Sequence, residues 1–333
     1  MSGVMQKSIA ENEDGMRLDR WFHSHFPHIS HGQLQKYLRK GEVRVDGGRS
    51  KSSRRLVSGQ EVRIPPLPSE PADKKPRPRR LSQADVDFVR SLVIYRDKHF
   101  IAINKPPGLA VQGGTNQERH VDGLLEGLKF DNEERPKLVH RLDRDTSGVL
   151  MLARSRAAAT MIGQLFKQRD TSKLYWAVVM GTPRPANGQI ELALAKKKGR
   201  SGEKMQVCFE GEEEGQYAVS KYSVLASAGQ KFAFVALTPI TGRTHQLRVH
   251  MNAIHFPIVG DGKYGGKDAQ PGGEMSRKLH LHARSFSFNH PDSGKLIIVR
   301  ASLPDHMMKT WELLGFDAHK EDNPFATADG KGA

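Results

Sequence analysis

The sequence predicts an α+β protein, with one domain built on a mostly antiparallel mixed sheet and a small basic α/β unit before it. Three observations carry this reading. From Leu92 onward, short apolar runs alternate with turn residues and only a few stretches show a helical period. Between Met16 and Ile64, two helical patterns lead into a hairpin pattern. Separating the two regions, residues 65–80 hold six prolines and five basic residues, a composition that cannot build a core and reads as an extended linker.

Met1 to Asp14 has no apolar signal-peptide core and carries Glu11, Glu13 and Asp14, so residues 1–15 are expected to be a flexible N-terminus. Leu18, Trp21, Phe22 and Phe26 then recur at helical spacing until Pro27 breaks the pattern. Ser30 is a candidate N-cap for a second helix that buries Leu34, Tyr37 and Leu38 and ends at Gly41. Its other side shows Gln33, Lys36, Arg39 and Lys40. Val43 and Val45 alternate with Glu42 and Arg44 into the turn Asp46-Gly47-Gly48, and Leu56, Val62 and Ile64 close a unit spanning 16–64. A linker over 65–83 leads to the larger domain, 84–314, and a polar tail, 315–333, is expected to be disordered. Within that domain Val93-Ile94-Tyr95 and Phe100 to Asn104 read as strands. Lys173 to Val179, Tyr222 to Leu225, Phe232 to Leu237 and Leu296 to Ser302 read likewise. Ala157 to Gln168 and Arg243 to Ile254 are the predicted helices.

Charge narrows the partner. The 333 residues hold 52 Lys+Arg against 37 Asp+Glu, a formal net charge of +15. The unit from Met16 to Ile64 has 11 basic and 4 acidic residues. Such a balance suits a polyanion, because each phosphate contact releases condensed counterions. Nucleic acid fits better than a membrane surface, since no basic amphipathic helix with a bulky apolar face stands out. No apolar run is long enough to span a bilayer, and the single cysteine, Cys208, excludes an intramolecular disulfide and a multi-thiolate metal site. The expectation is a soluble, cytoplasmic, monomeric protein with no membrane or obligate protein partner.

Four segments look chemical. His140-Arg141-Leu142-Asp143-Arg144-Asp145-Thr146-Ser147-Gly148 sets alternating charges between two apolar flanks, as in a loop held by a rigid scaffold. A solvated, salt-bridged turn would carry the same charges. In Lys173-x-Tyr175-x-Ala177, strand alternation puts an ammonium and a phenol on one face. In Thr241 to Met251, a helix would align Arg243, Gln246-Leu247 and His250. The last is His280-Leu281-His282-Ala283. The histidines lack any recognised metal-ligand spacing, and the glycines of 260–266 and 272–273 lack nucleotide-binding spacing. Neither a metal nor another cofactor is expected.

Taken in order, these segments resemble the pseudouridine synthase family that modifies large-ribosomal-subunit RNA. The resemblance rests on Asn104-Lys105-Pro106-Pro107-Gly108, the 140–148 loop, Lys173-Leu174-Tyr175-Trp176-Ala177, Gly242 to Met251, His255 to Ile258 with Gly260 to Gly265, and Leu281-His282-Ala283. It covers about Ser91 to Pro304. Met16 to Ile64 resembles an S4 RNA-binding domain through Arg17-Leu18-Asp19-Arg20, the Ser30 helix and Gly41 to Gly47. The resemblance implies the pseudouridine synthase fold and isomerisation of uridine in ribosomal RNA without a cofactor. It also implies a catalytic role for Asp143, with Arg141 filling the gap left by the extruded base and Tyr175 touching the flipped uracil. Arg243 would pair with the catalytic carboxylate, and Leu247 would line the base pocket. Trp176 is bulkier than expected beside that tyrosine and is expected on the opposite strand face.

These residue types suit the reaction. A carboxylate beside C1′ can act as nucleophile, stabilise positive charge or remove a proton, and a neighbouring guanidinium favours its ionised form. Extruding a nucleotide costs a few kcal/mol, which stacking can offset. Two other readings stand beside this one: a non-catalytic RNA-binding ribosome-assembly factor, and a hydrolytic glycosidase using the same carboxylate.

Overall fold

The computed structural model describes residues 3–68, 81–113, 119–168, 171–199, 202–208, 215–320 and 323–326. The chain divides into two compact units, Met1–Arg80 and Leu81–Ala333.

In the first unit, β1 (Met5–Ser8) precedes helices α1 (Leu18–His25) and α2 (His31–Lys40), followed by β2 (Arg44–Val45), β3 (Gly48–Arg49) and β4 (Glu61–Ile64). Ser30 caps α2 reciprocally with Gln33, and Gly41 ends it in the left-handed region at φ +70. Leu18, Trp21, Phe22, Leu34 and Leu38 meet Val43, Val45, Val62 and Ile64 in one core. The expected flexible N-terminus is corrected. Met5–Ser8 pairs with β4, Ile9 is buried in that core, and Glu13 accepts from Trp21 Nε1 at 2.8 Å and contacts His25 Nε2 at 2.6 Å. The acidic residues that made this stretch look solvated include the one that satisfies a buried indole. Most of the proposed linker, 69–80, lies outside the described residues.

The second unit begins with α3 (Gln83–Ser91), β5 (Val93–Arg96), β6 (Phe100–Lys105), α4 (Val121–Leu124), β7 (Lys137–Leu138), β8 (Ser147–Ala153) and α5 (Arg156–Gln168). There follow β9 (Thr171–Met180), β10 (Asn187–Glu191), β11 (Ala193–Gly199), β12 (Gly202–Cys208), β13 (Val219–Ala228) and β14 (Phe232–Pro239). Helix α6 (Gln246–Ala253), β15 (Leu281–Asn289), β16 (Leu296–Arg300) and α7 (Asp305–Leu314) complete it. A ten-stranded sheet runs in the order β10-β13-β14-β9-β15-β8-β6-β5, with β16 on β15 and β7 on β8, and β11 and β12 form a separate ribbon.

Two antiparallel halves make up this sheet. They join where β15 runs parallel to β8, with His282 opposite Ser147 and Ala283 opposite Gly148. Glycine is required at this junction. Gly148 has φ +108, and a Cβ there would stand 2.2 Å from the Ala283 carbonyl oxygen. Beside it the buried Ser147 Oγ and His282 Nδ1 lie 2.8 Å apart. The charged 140–146 loop therefore empties directly into the seam of the sheet.

The tail expectation is also corrected in part. Gly315 ends α7 at φ +68, and Phe316 is buried against Trp311 and Phe234, with Ala318 and Phe325 on the same cluster. Residues 321–322 and 327–333 lie outside the described set. No helix among the described residues is long and apolar enough to cross a membrane.

Candidate active site

The 140–148 loop is pinned at both ends and in the middle. His140 Nε2 accepts the Met151 N–H at 2.9 Å while its ring stacks on Phe286. Leu142 buries its side chain in the core under β6 and β8. Lys105, fully buried at the end of β6, donates to the carbonyls of Pro106, Leu109 and Arg144 at 2.9–3.0 Å. Burial pushes Lys105 down to about 7, against the pull of the Asp145 and Asp143 charges. Its three acceptors match the three N–H groups of an ammonium. Gly108 N–H reaches the same Arg144 carbonyl at 2.9 Å. With Leu142 turned inward and Arg144 held by its carbonyl, Asp143 faces a cavity.

That cavity, about 340 Å³, is lined by Arg141, Asp143, Lys173, Tyr175, Arg243, His245, Leu247 and Arg248 among others. All five residues singled out from the sequence (Asp143, Arg141, Tyr175, Arg243 and Leu247) reach it. Lys173 and Tyr175 project together from β9, whereas Trp176 packs on the opposite face against Phe234, 4.9 Å between ring centroids. Burial, then the Asp143 charge, raises the Tyr175 phenol well above its ordinary value, so it remains a neutral hydroxyl. Lys173 sits 4.6 Å from the Phe166 ring, and burial lowers its pKa.

One pairing differs from expectation. Arg248, not Arg243, faces the carboxylate: its Nη1 is 3.8 Å from Asp143 Oδ2. Arg243 is exposed, and its Nε donates to the Tyr217 carbonyl at 3.1 Å. The reason is local. The helix starts at Gln246 rather than Arg243, because the buried Gln246 side chain accepts from Thr241 Oγ1 and Arg243 N–H and donates to Val219 O and Ser220 Oγ. These bonds wind 241–245 into a turn, so Arg243 leaves the helical face and Arg248, early in α6, enters the site.

Arg248 is itself held by Asp261 through two bonds of 2.8 and 2.7 Å, both side chains buried. Burial works against the Arg248 charge, yet the carboxylates of Asp261 and Asp143 keep its pKa above the ordinary value. On the other oxygen, His245 Nε2 lies 3.6 Å from Asp143 Oδ1. Both distances exceed a hydrogen bond. Asp143 is thus held by charge while its lone pairs stay open toward the cavity. Asp145 differs: it pairs with Arg144 at 3.1 Å on the exposed side and lines only the neighbouring cavity of about 580 Å³, whose wall Asp143 shares. Arg248, His245, Asp261 and Lys105 were missed as site residues, although all four lie within or beside the motifs singled out.

Among the described residues, no cluster of three His, Cys, Asp or Glu side chains is arranged to hold a metal ion. His245 belongs to the cavity, whereas His250, His280 and His282 are buried in the protein interior. Burial pushes His140 and His282 down to about 3 and His250 and His280 down to about 4. All four are neutral when folded, but the unfolded chain protonates them near the ordinary histidine value of about 6.5. Their contribution to stability is complete above that pH and is lost as pH falls through it, by about 1.4 kcal/mol per pH unit for each histidine. Thermal unfolding should therefore show a plateau above about pH 7 and a steep fall in Tm between about pH 6 and 4. A flat profile there would contradict neutral burial.

Comparison with known proteins fits this geometry. Residues 99–253 match the family model described as RNA pseudouridylate synthase. The chain is 35% identical over 314 residues to the ribosomal large subunit pseudouridine synthase C of Haemophilus influenzae, covering 92% of this chain and 94% of the relative. It is 32% identical over 292 residues to the protein of the same name from Rickettsia felis, covering 86% and 93%. Among solved structures, human RNA pseudouridylate synthase domain containing 4 superposes with a TM-score of 0.57 at 28% identity, covering 70% of this chain and 97% of that one. With its fold, its cavity and relatives that match nearly end to end, the chain belongs to the RNA pseudouridylate synthase family.

Proposed function

We propose that this protein isomerises uridines of large-subunit ribosomal RNA to pseudouridine, with Asp143 as the catalytic carboxylate. The observation that carries the reading is Asp143 itself: a carboxylate on the cavity wall, flanked at 3.6 and 3.8 Å by His245 and Arg248 with its oxygens unspent. In the reaction the C1′–N1 bond breaks and C1′ bonds to C5, while the C5 proton leaves and N1 takes one up. An ionised carboxylate can serve this as nucleophile at C1′ or as base on the sugar.

Tyr175, a neutral phenol, and Leu247 offer one aromatic and one aliphatic surface to the uracil. Exposed Arg141 on the cavity wall is suited to stack where the base has left. Arg243, exposed on the same wall, is suited to an RNA phosphate rather than to Asp143. The named substrate of the relatives supports ribosomal RNA, which implies a cytoplasmic location. The proposal takes the protein to act as a monomer, without an obligate protein partner or a cofactor.

Asp143→Asn should abolish tritium release from RNA labelled at uridine C5 while RNA binding persists. Asp145→Asn, which removes the exposed Arg144 pair and one of the two carboxylate charges acting on Lys105 but leaves Asp143 in place, should retain turnover. Wild-type rates in the first variant, or free uracil as product, would overturn the reading.

The first unit is proposed to act as an S4-like RNA-binding domain. Its α2 exposes Lys36, Arg39 and Lys40, and Arg44, Arg49 and Arg55 are exposed in the same unit. Removing residues 1–80 should weaken RNA binding and flatten its salt dependence, the slope of log K against log salt falling by roughly 0.7–0.9 for each phosphate that is no longer neutralised. An unchanged slope would mean that this charge is not used on the substrate.

A further inference from the structure

The groups around Asp143 close into a ring. Tyr264 donates its main-chain N–H to Asp261 Oδ1 at 3.1 Å, and Asp261 grips Arg248. Arg248 and His245 flank the two oxygens of Asp143, and His245 Nδ1 returns to the Tyr264 hydroxyl at 2.6 Å. The Arg248 guanidinium lies 5.1 Å from the Tyr264 ring centroid, bracing the ring across its middle. In this ring Arg248 supplies fixed charge. His245 is the member whose charge can change near neutral pH.

Its backbone is set for a task other than capping. His245 holds the N-cap position of α6 but caps nothing with its side chain, and it adopts the left-handed region at φ +53. That conformation is strained for a non-glycine residue, and such strain clusters at functional sites. It turns the imidazole between Tyr264 and Asp143, where it borders both cavities. Burial raises the Tyr264 phenol to about 12, so it keeps its proton and can donate it to Nδ1. In that tautomer the neutral imidazole carries its own proton on Nε2, toward Asp143.

The groups facing His245 are Asp143, Arg248, Lys263 and Asp261, with Lys204 and Lys263 also over the face of Tyr264. Burial, Arg248 and Lys263 oppose the imidazolium, and Asp143 and Asp261 favour it. The balance lies below the ordinary histidine value, so the ring is neutral at neutral pH and charges on acidification.

We infer that His245 is a positioning residue that sets the acid limit of the reaction. Neutral and held by Tyr264, it leaves the Asp143 oxygens free for the sugar. As imidazolium it captures Asp143 in an ion pair and halts turnover. This rests on the reading of Asp143 as the catalytic carboxylate.

The test is the pH profile of kcat for the wild type, His245→Asn and Tyr264→Phe. Asparagine tolerates the left-handed backbone and so preserves the turn. Wild-type kcat should fall about tenfold per pH unit on the acid side, with a midpoint below the ordinary histidine value of about 6.5. In His245→Asn the limb set by the imidazole should disappear, so that the fall in kcat begins at lower pH than in the wild type. In Tyr264→Phe it should move up, because Nδ1 loses its donor and takes a proton more readily. A merely structural role would lower the whole profile without moving the limb, and an acid limb at the same pH in wild type and His245→Asn overturns the inference. A second readout needs no turnover: by NMR, the His245 ring should titrate at lower pH in Asp143→Asn than in the wild type, and an unchanged titration overturns the pairing. Wild-type protein that forms no pseudouridine at any pH would instead overturn the proposed function, with the NMR titration still deciding the pairing.

Discussion

The site depends on how closely two strands approach. Where β8 and β15 run side by side, the Gly148 backbone lies so near the Ala283 carbonyl that no side chain fits between them. Ser147 and His282 bridge the same point inside the protein. This approach joins the two antiparallel halves of the sheet and fixes the direction in which the preceding residues leave it. The 140–146 loop is consequently a short span between a half-buried histidine and a closed seam. Lys105 clamps it from below through the Arg144 carbonyl. A loop so constrained can present a carboxylate at a defined point, which positioning for catalysis requires.

Charge then separates two aspartates that look alike in sequence. Asp145 and Arg144 form an exposed pair of the kind worth at most about 1 kcal/mol. Asp143 sits beside Arg248, whose two buried hydrogen bonds to Asp261 leave one guanidinium nitrogen directed at the cavity. Breaking a buried pair costs about 3–5 kcal/mol, because one charge is left without compensation. Asp261 therefore prevents Arg248 from collapsing fully onto Asp143, and the carboxylate oxygens remain available. The site is built from competition for one guanidinium.

Much of this was legible from residue patterns. The α2 helix announced both ends through Ser30 and Gly41, β9 through its alternation, and the placement of Trp176 on the strand face opposite Tyr175 followed from the same period. What escaped depends on partners distant in sequence. Met5–Ser8 has all four residues exposed and no apolar alternation, so only its pairing with β4 makes it a strand. The Lys-rich β11–β12 ribbon hides its register among charges, and it buries Leu194 against Val249 and Tyr264. The arginine was misplaced for a third reason. Gln246 spends its side chain on the preceding turn and delays the helix by three residues. A reading of 243–254 as continuous helix could not foresee that, although Arg248 stood in the same motif.

The central claim is that Arg248, anchored by Asp261, holds Asp143, the carboxylate proposed as catalytic, and that Arg243 does not. Paired kinetics of Arg248→Lys and Arg243→Lys test it most directly, since lysine keeps the charge but cannot make the two-pronged bond. The account predicts that kcat falls by about tenfold or more for Arg248→Lys, matching the loss of at least ~1.4 kcal/mol of transition-state stabilisation. For Arg243→Lys it predicts a change mainly in KM. A kcat loss confined to Arg243→Lys, with Arg248→Lys turning over normally, would contradict it.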